Sequence, residues 1–84
     1  MVYATMKTMT CRQMGGPCDM AFHGNTADEV IKMQDAHLKD MGAKGDESHK
    51  VAAAEMAGRW KNPFKGMGWY MATKKAFAAL PEDK

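Results

Sequence analysis

Cys11, Cys18, His37 and His49 are the residues of this 84-residue chain whose types could jointly hold a metal ion. Thiolate and imidazole are the donors of structural zinc, normally four in a tetrahedron. Six, eighteen and eleven residues separate them in chain order. Zinc knuckles space their paired cysteines by two to four residues, so only the tertiary fold could bring this set together. Other readings of the same residues stay open. Unpaired cysteines are often small buried hydrophobes, and histidines are often merely hydrogen-bonded. Met6, Met9 and Met20 flank the cysteines among ten methionines, and thioethers with thiolates select Cu(I). Met56, Met67 and Met71 recur at helical spacing, where adaptable core packing accounts for them. A thiol redox role for Cys11 and Cys18 needs a thiol pKa lowered by a cation or a helix N-terminus, and the chain has no CxxC.

Arg59, Trp60, Lys61, Lys65 and Trp69 form the second candidate set, a binding surface. Stacking on aromatics with Lys and Arg on phosphates is how single-stranded nucleic acid is held. Arg59 to Lys75 carries five basic residues and no acidic one, yet the whole chain is only +2. That balance does not favour nucleic acid as the partner. The plainer alternative makes Trp60 and Tyr70 core residues and the lysines a solvated face. An exposed Met and Trp patch would instead fit a protein partner or a homodimer. No Ser/His/Asp pattern, phosphate loop or convincing carboxylate pair is found, so no enzymatic activity is expected. No apolar run is long enough for a signal peptide or a membrane span. A cytoplasmic protein without a membrane partner is expected, where cysteines are thiols or metal ligands rather than structural disulfides.

These side chains depend on a few elements to position them. Met6 to Cys11 and Cys18 to His23 are strand-like, and Met14-Gly15-Gly16-Pro17 between them is turn chemistry. With Met14-Gly15 as the central turn residues, Cys11 faces Cys18 and Met9 faces Met20. Met9, Cys11, Cys18, Met20 and Phe22 then share one face and His23 points to the other. A turn at Gly15-Gly16 would change this register.

Thr26-Ala27-Asp28-Glu29 is a capping box. A first helix follows it, with Ala27, Val30, Ile31, Gln34, Leu38 and Met41 inward and His37 at the edge. Gly42 and Gly45 end this helix. Asp46 caps a second, with Ala52, Ala53, Met56 and Trp60 inward and His49 one turn upstream. Asn62-Pro63 opens a third, expected to bury Phe64, Met67, Tyr70, Met71, Phe77 and Ala78. The fold class is α+β: an N-terminal β-hairpin against about three helices, ββααα. Residues 6–84 are expected to form one domain, with 1–5 an extension. A chain this short has a small core, which a metal or a partner subunit often supplements.

The run Met6-Lys-Thr-Met-Thr-Cys11-Arg-Gln-Met-Gly-Gly-Pro-Cys18-Asp, with Asn25-Thr26, Glu29-Val30 and His37, resembles a family of small bacterial proteins catalogued as a domain of unknown function, DUF1059. The ending Phe77-Ala-Ala-Leu-Pro-Glu-Asp83 is similar to that of longer members. The two cysteines around a glycine-containing turn, followed by a histidine in the first helix, are its most specific part. Many relatives carry a second histidine about one turn after the position of His37, where this chain has Met41 and Gly42. The resemblance implies the fold and the Cys/Cys/His grouping, and it brings no activity with it. The function expected is a small non-enzymatic domain binding zinc or another macromolecule. The alternative is a thiol redox or copper-handling protein using Cys11 and Cys18.

Overall fold

The computed structural model describes residues 6–82, so the expected extension at residues 1–5 lies outside the described residues. Two antiparallel strands, β1 (Lys7–Thr10) and β2 (Ala21–Gly24), are followed by α1 (Ala27–Ala43), α2 (Glu47–Lys61) and α3 (Pro63–Ala79). This is the ββααα layout that turn and capping chemistry predicts.

The hairpin departs from the expected register. Met9 pairs with Phe22 and Thr10 with Ala21, a shift of two residues from the expected pairing of Met9 with Met20. The cause is the connection. Arg12–Met14 form a short 3-10 turn that ends on Gly15 at φ 96°, a left-handed conformation that glycine adopts without strain. The ladder therefore closes at Cys11, whose N–H donates to the Met20 carbonyl at 2.8 Å, and Cys18 lies in the loop rather than opposite Cys11. Met20 is 54% exposed instead of sharing the buried face of Met9 and Phe22. His23 keeps its expected side, 2.8 Å from Thr8 Oγ1 across the pair.

The helices start where their caps place them. Thr26 accepts from the Glu29 N–H and Glu29 reaches back to the Thr26 N–H. Asp46 accepts from the His49 N–H, and Asn62 from the Phe64 and Lys65 N–H groups ahead of Pro63 at the first turn. Each filled cap is worth about 1 kcal/mol. α1 buries Ala27, Val30, Ile31, Gln34 and Leu38 as its periodicity predicts, with Met41 half-buried beside buried Gly42. The core gathers these with Met9, Cys11, Met14, Phe22, Met56 and Phe77.

α3 is rotated relative to expectation. Its inward side is Gly66, Thr73 and Phe77, with Trp69 and Tyr70 half-buried. Phe64, Met67 and Met71, expected in the core, are 89%, 67% and 58% exposed, and Ala78 is exposed as well. Trp60, also expected inside, is 51% exposed. Three contacts set the rotation. The backbone of Gly66 lies against the Arg59 carbonyl, where a Cβ would collide. Trp69 donates its indole N–H to the Met14 carbonyl at 3.2 Å, and the Tyr70 hydroxyl donates to Asp28 at 2.7 Å. At the far end Lys7 Nζ donates to the Phe77 and Ala78 carbonyls, and the Lys7 backbone pairs with that of Glu82 in an isolated antiparallel bridge. Among the described residues no helix is long and apolar enough to cross a membrane.

Candidate metal centre

Cys11 closes β1, Cys18 stands in the loop before β2, His37 is on α1 and His49 opens α2. One donor atom from each converges, all within 4.8 Å of one another. His37 Nε2 is the hub: it lies 3.3 Å from Cys18 Sγ and 3.2 Å from His49 Nε2. Zinc bonds of ~2.3 Å to sulfur and ~2.0–2.1 Å to nitrogen give tetrahedral edges of about 3.5 Å (S to N) and 3.3 Å (N to N). The two short contacts fall within a few tenths of an ångström of those edges.

Each candidate ligand is held by chemistry specific to its element. The Cys11 carbonyl accepts from the Met14 and Gly16 N–H groups. The fully buried Gln34 carboxamide donates to both that carbonyl and the Cys11 sulfur, at 3.3 Å each. Gly16 leaves room for this arrangement, because a Cβ there would run into Cys11 Sγ and stand 2.7 Å from Gln34 Nε2. Backbone N–H groups of Cys18 and Met20 hydrogen-bond the sulfurs of Cys11 and Cys18. The exposed Arg12–Asp19 pair, 2.7 Å apart, ties the two arms of the loop. Phe22 packs edge-on against the His37 ring at 5.4 Å, and His37 and His49 stand nearly perpendicular.

His49 is buried, and its far ring nitrogen Nδ1 lies 3.0 Å from Asp46 Oδ1, close but off the direct line of the ring N–H. The carboxylate charge favours a proton on Nδ1, which leaves the Nε2 lone pair for the centre. Carboxylates beside metal-bound histidines set the ring tautomer in this way.

The electrostatics follow from the same contacts. The Ser48 hydroxyl and then His49 hold the Asp46 carboxyl well below the usual carboxylate range. Asp46 in turn raises His49 against the opposing effect of burial. Burial, then the charge of His49, lowers His37. Burial raises the Cys11 thiol. For Cys18 burial also acts upward, but the Met20 N–H and His49 outweigh it and the thiol is lowered. Both cysteines are unpaired.

The other sequence-derived set is spread over the α2–α3 corner. Trp60, Lys61 and Lys65 are exposed, while Arg59 and Trp69 are half-buried. The Arg59 guanidinium sits 5.0 Å from the Trp69 ring centre and Trp60 meets Trp69 edge-on at 5.9 Å, so both pack on Trp69 while Trp60 itself stays half exposed. Met9 and Met14 belong to the core.

Sequence reading missed three supporting residues. Asp46 reads as a cap alone, Gln34 as part of an apolar stripe and Gly16 as a turn residue. The spacing Asp46-x-x-His49 carried a usable signal, since a cap side chain that reaches the third helical N–H also lies beside that residue's ring.

A family model described as "Protein of unknown function (DUF1059)" matches residues 6–42. The matched span includes Cys11, Cys18 and His37 and ends before His49 and the second and third helices. It agrees with the N-terminal part of the family resemblance read from the sequence, and the similar ending at residues 77–83 lies outside the matched span. No curated protein and no solved structure matches the chain.

Proposed function

We propose that this chain is a small non-enzymatic domain that binds one zinc ion through Cys11, Cys18, His37 and His49. The geometry of His37 Nε2 carries the reading. An imidazole nitrogen has one in-plane direction, so it can donate or accept one good hydrogen bond. Here it faces a sulfur at 3.3 Å and a second imidazole nitrogen at 3.2 Å. A single cation between the three atoms, with Cys11 completing the set, satisfies all of them together.

Two thiolates with two imidazoles suit zinc better than Cu(I), which draws on thioethers. Met20, the methionine nearest Cys18 in sequence, is exposed. Four protein ligands leave no coordination position open for a substrate, the mark of structural rather than catalytic zinc. The ion would join the hairpin loop to α1 and α2, a reinforcement that suits so small a core. A domain braced in this way serves by contacting another macromolecule.

Native mass spectrometry with and without chelator tests the reading. One zinc per chain, lost together with cooperative folding, is the expected result. Cobalt in its place should give the visible ligand-field bands of a tetrahedral site. A folded chain that takes up neither metal would overturn the proposal. Thiols that cycle with glutathione in such a metal-free chain would assign the cysteines to redox chemistry instead.

A further inference from the structure

We infer that the outer face of α3 is a docking surface for an anionic lipid bilayer, on which the domain lies without inserting a spanning segment. Phe64, Met67 and Met71 follow one another at helical spacing of three and four. All three are exposed, Phe64 almost completely. A helix that is apolar on both sides is normally covered on both. α3 meets the core with Gly66, Thr73 and Phe77, so its second apolar side faces outward.

Charge identifies what covers it. At 100° per residue, Lys74 and Lys75 fall on opposite flanks of the stripe, while Lys61 closes α2 just before it and Lys65 lies on another side of α3. From Met56 to Pro81 there is no acidic residue. Among the described residues, none of these four lysines has an ion-pair partner. Apolar side chains flanked by lysines are the pattern of a helix at a lipid interface, where stems lie along the acyl boundary and ammonium groups reach the headgroups.

A second copy of the chain fits poorly. Face to face, two such helices would bring lysines against lysines with no carboxylate between them. The three side chains also expose only roughly 400 Å², taking about 200 Å² for each, against about 800 Å² per partner in a stable interface. The absence of a spanning helix among the described residues is no obstacle to surface contact. The expectation of no membrane partner rested on the lack of a spanning run and counted these three residues as core.

The test uses the full chain, once with zinc and once with chelator, and vesicles of phosphatidylcholine and phosphatidylglycerol in equal parts. Pure phosphatidylcholine vesicles are the control. Co-sedimentation with the anionic vesicles alone, weakening with added salt, is expected. Phe64→Ser should lower partitioning tenfold or more, and Lys74→Gln or Lys75→Gln about fivefold each. Phe64 and Lys75 are exposed, so the thermal melts of their variants should stay unchanged, while Lys74→Gln also gives up a cation–π contact with Tyr70 at 5.6 Å. No sedimentation at low salt, or sedimentation indifferent to Phe64→Ser, would overturn the inference. So would a concentration-dependent dimer that Phe64→Ser dissolves, or tighter binding to a single-stranded oligonucleotide than to the vesicles. Binding in chelator would show that this face acts independently of the metal centre.

Discussion

Replacing Asp46 by asparagine separates two tasks that one side chain performs. Asp46 Oδ1 accepts the His49 backbone N–H at 3.0 Å as the cap of α2 and also stands 3.0 Å from His49 Nδ1. Asparagine caps a helix about as well as aspartate, so Asp46→Asn retains the cap and removes the charge from the imidazole. His49 is 3% exposed, and water has little access to replace that charge. Loss of a ligand's supporting carboxylate typically weakens metal binding about 10- to 100-fold. The contact is off-line, which places the expected loss for Asp46→Asn nearer about 10-fold. Asp46→Ala removes cap and charge together, and should lower both zinc affinity and the melting temperature of the chelated protein. The assay is competition for zinc with a chromogenic chelator at neutral pH, beside thermal melts with and without metal. If Asp46→Asn binds zinc as tightly as the native chain while Asp46→Ala only melts lower, the carboxylate is a cap and the proposed orientation of His49 is wrong.

The remaining predictions concern packing and pH. Gly66→Ala gains about 1 kcal/mol of helix propensity but forces a Cβ into the Arg59 carbonyl, and overpacking costs about 1–3 kcal/mol; calorimetry should find it neutral to destabilised by up to about 2 kcal/mol. Gly58→Ala, where nothing lies within 4 Å, should instead raise stability by about 0.5–1 kcal/mol, and a lowered melting point there would contradict the packing described. Gly16→Ala should displace Cys11 Sγ and weaken the tetrahedral cobalt bands, whereas full bands would mean the loop relaxes around the methyl group. In the chelated protein, NMR titration should place His49 above 6.5 and His37 below it. The stabilisation from His49 is then complete below pH 6.5 and lost as pH rises through its raised pKa. That from keeping His37 neutral is present above pH 6.5 and lost as pH falls through its lowered one. The metal-free protein should therefore be most stable near pH 6.5, as far as these two groups decide it, and a reversed order of the histidines would refute the assignment.

Helix starts were legible because they depend on local chemistry, and the four candidate ligands were legible by residue type alone, since only the fold brings them together. Thr26, Asp46 and Asn62 cap their helices through side chains that reach only two or three residues, and such contacts leave a pattern in the text. The face of α3 was not legible. With Phe64, Met67 and Met71 on one side and Trp69, Tyr70 and Phe77 on the other, hydrophobic periodicity has no preferred direction. What decided the rotation was the absence of a side chain at Gly66 and two long-range hydrogen bonds from Trp69 and Tyr70. The hairpin register failed for a different reason. A 3-10 turn inserted after Cys11 consumes residues that a two-residue turn would leave in the strands. The cysteines still meet, with Cys18 arriving from the loop, so the grouping survived although the pairing that suggested it did not.

All four candidate metal ligands lie before residue 50, and α3 supplies none of them. A bound ion would therefore suppress opening of the hairpin loop, α1 and the start of α2 as one cooperative unit, while α3 is held by its own inner face, the Trp69–Met14 and Tyr70–Asp28 hydrogen bonds and the Lys7 clasp. Backbone amide exchange would then divide the chain into two tiers: slow protons around the centre that respond to metal, and faster ones along α3 that do not. The domain would have a rigid half and a detachable one, and the outward apolar ridge belongs to the half that can lift away.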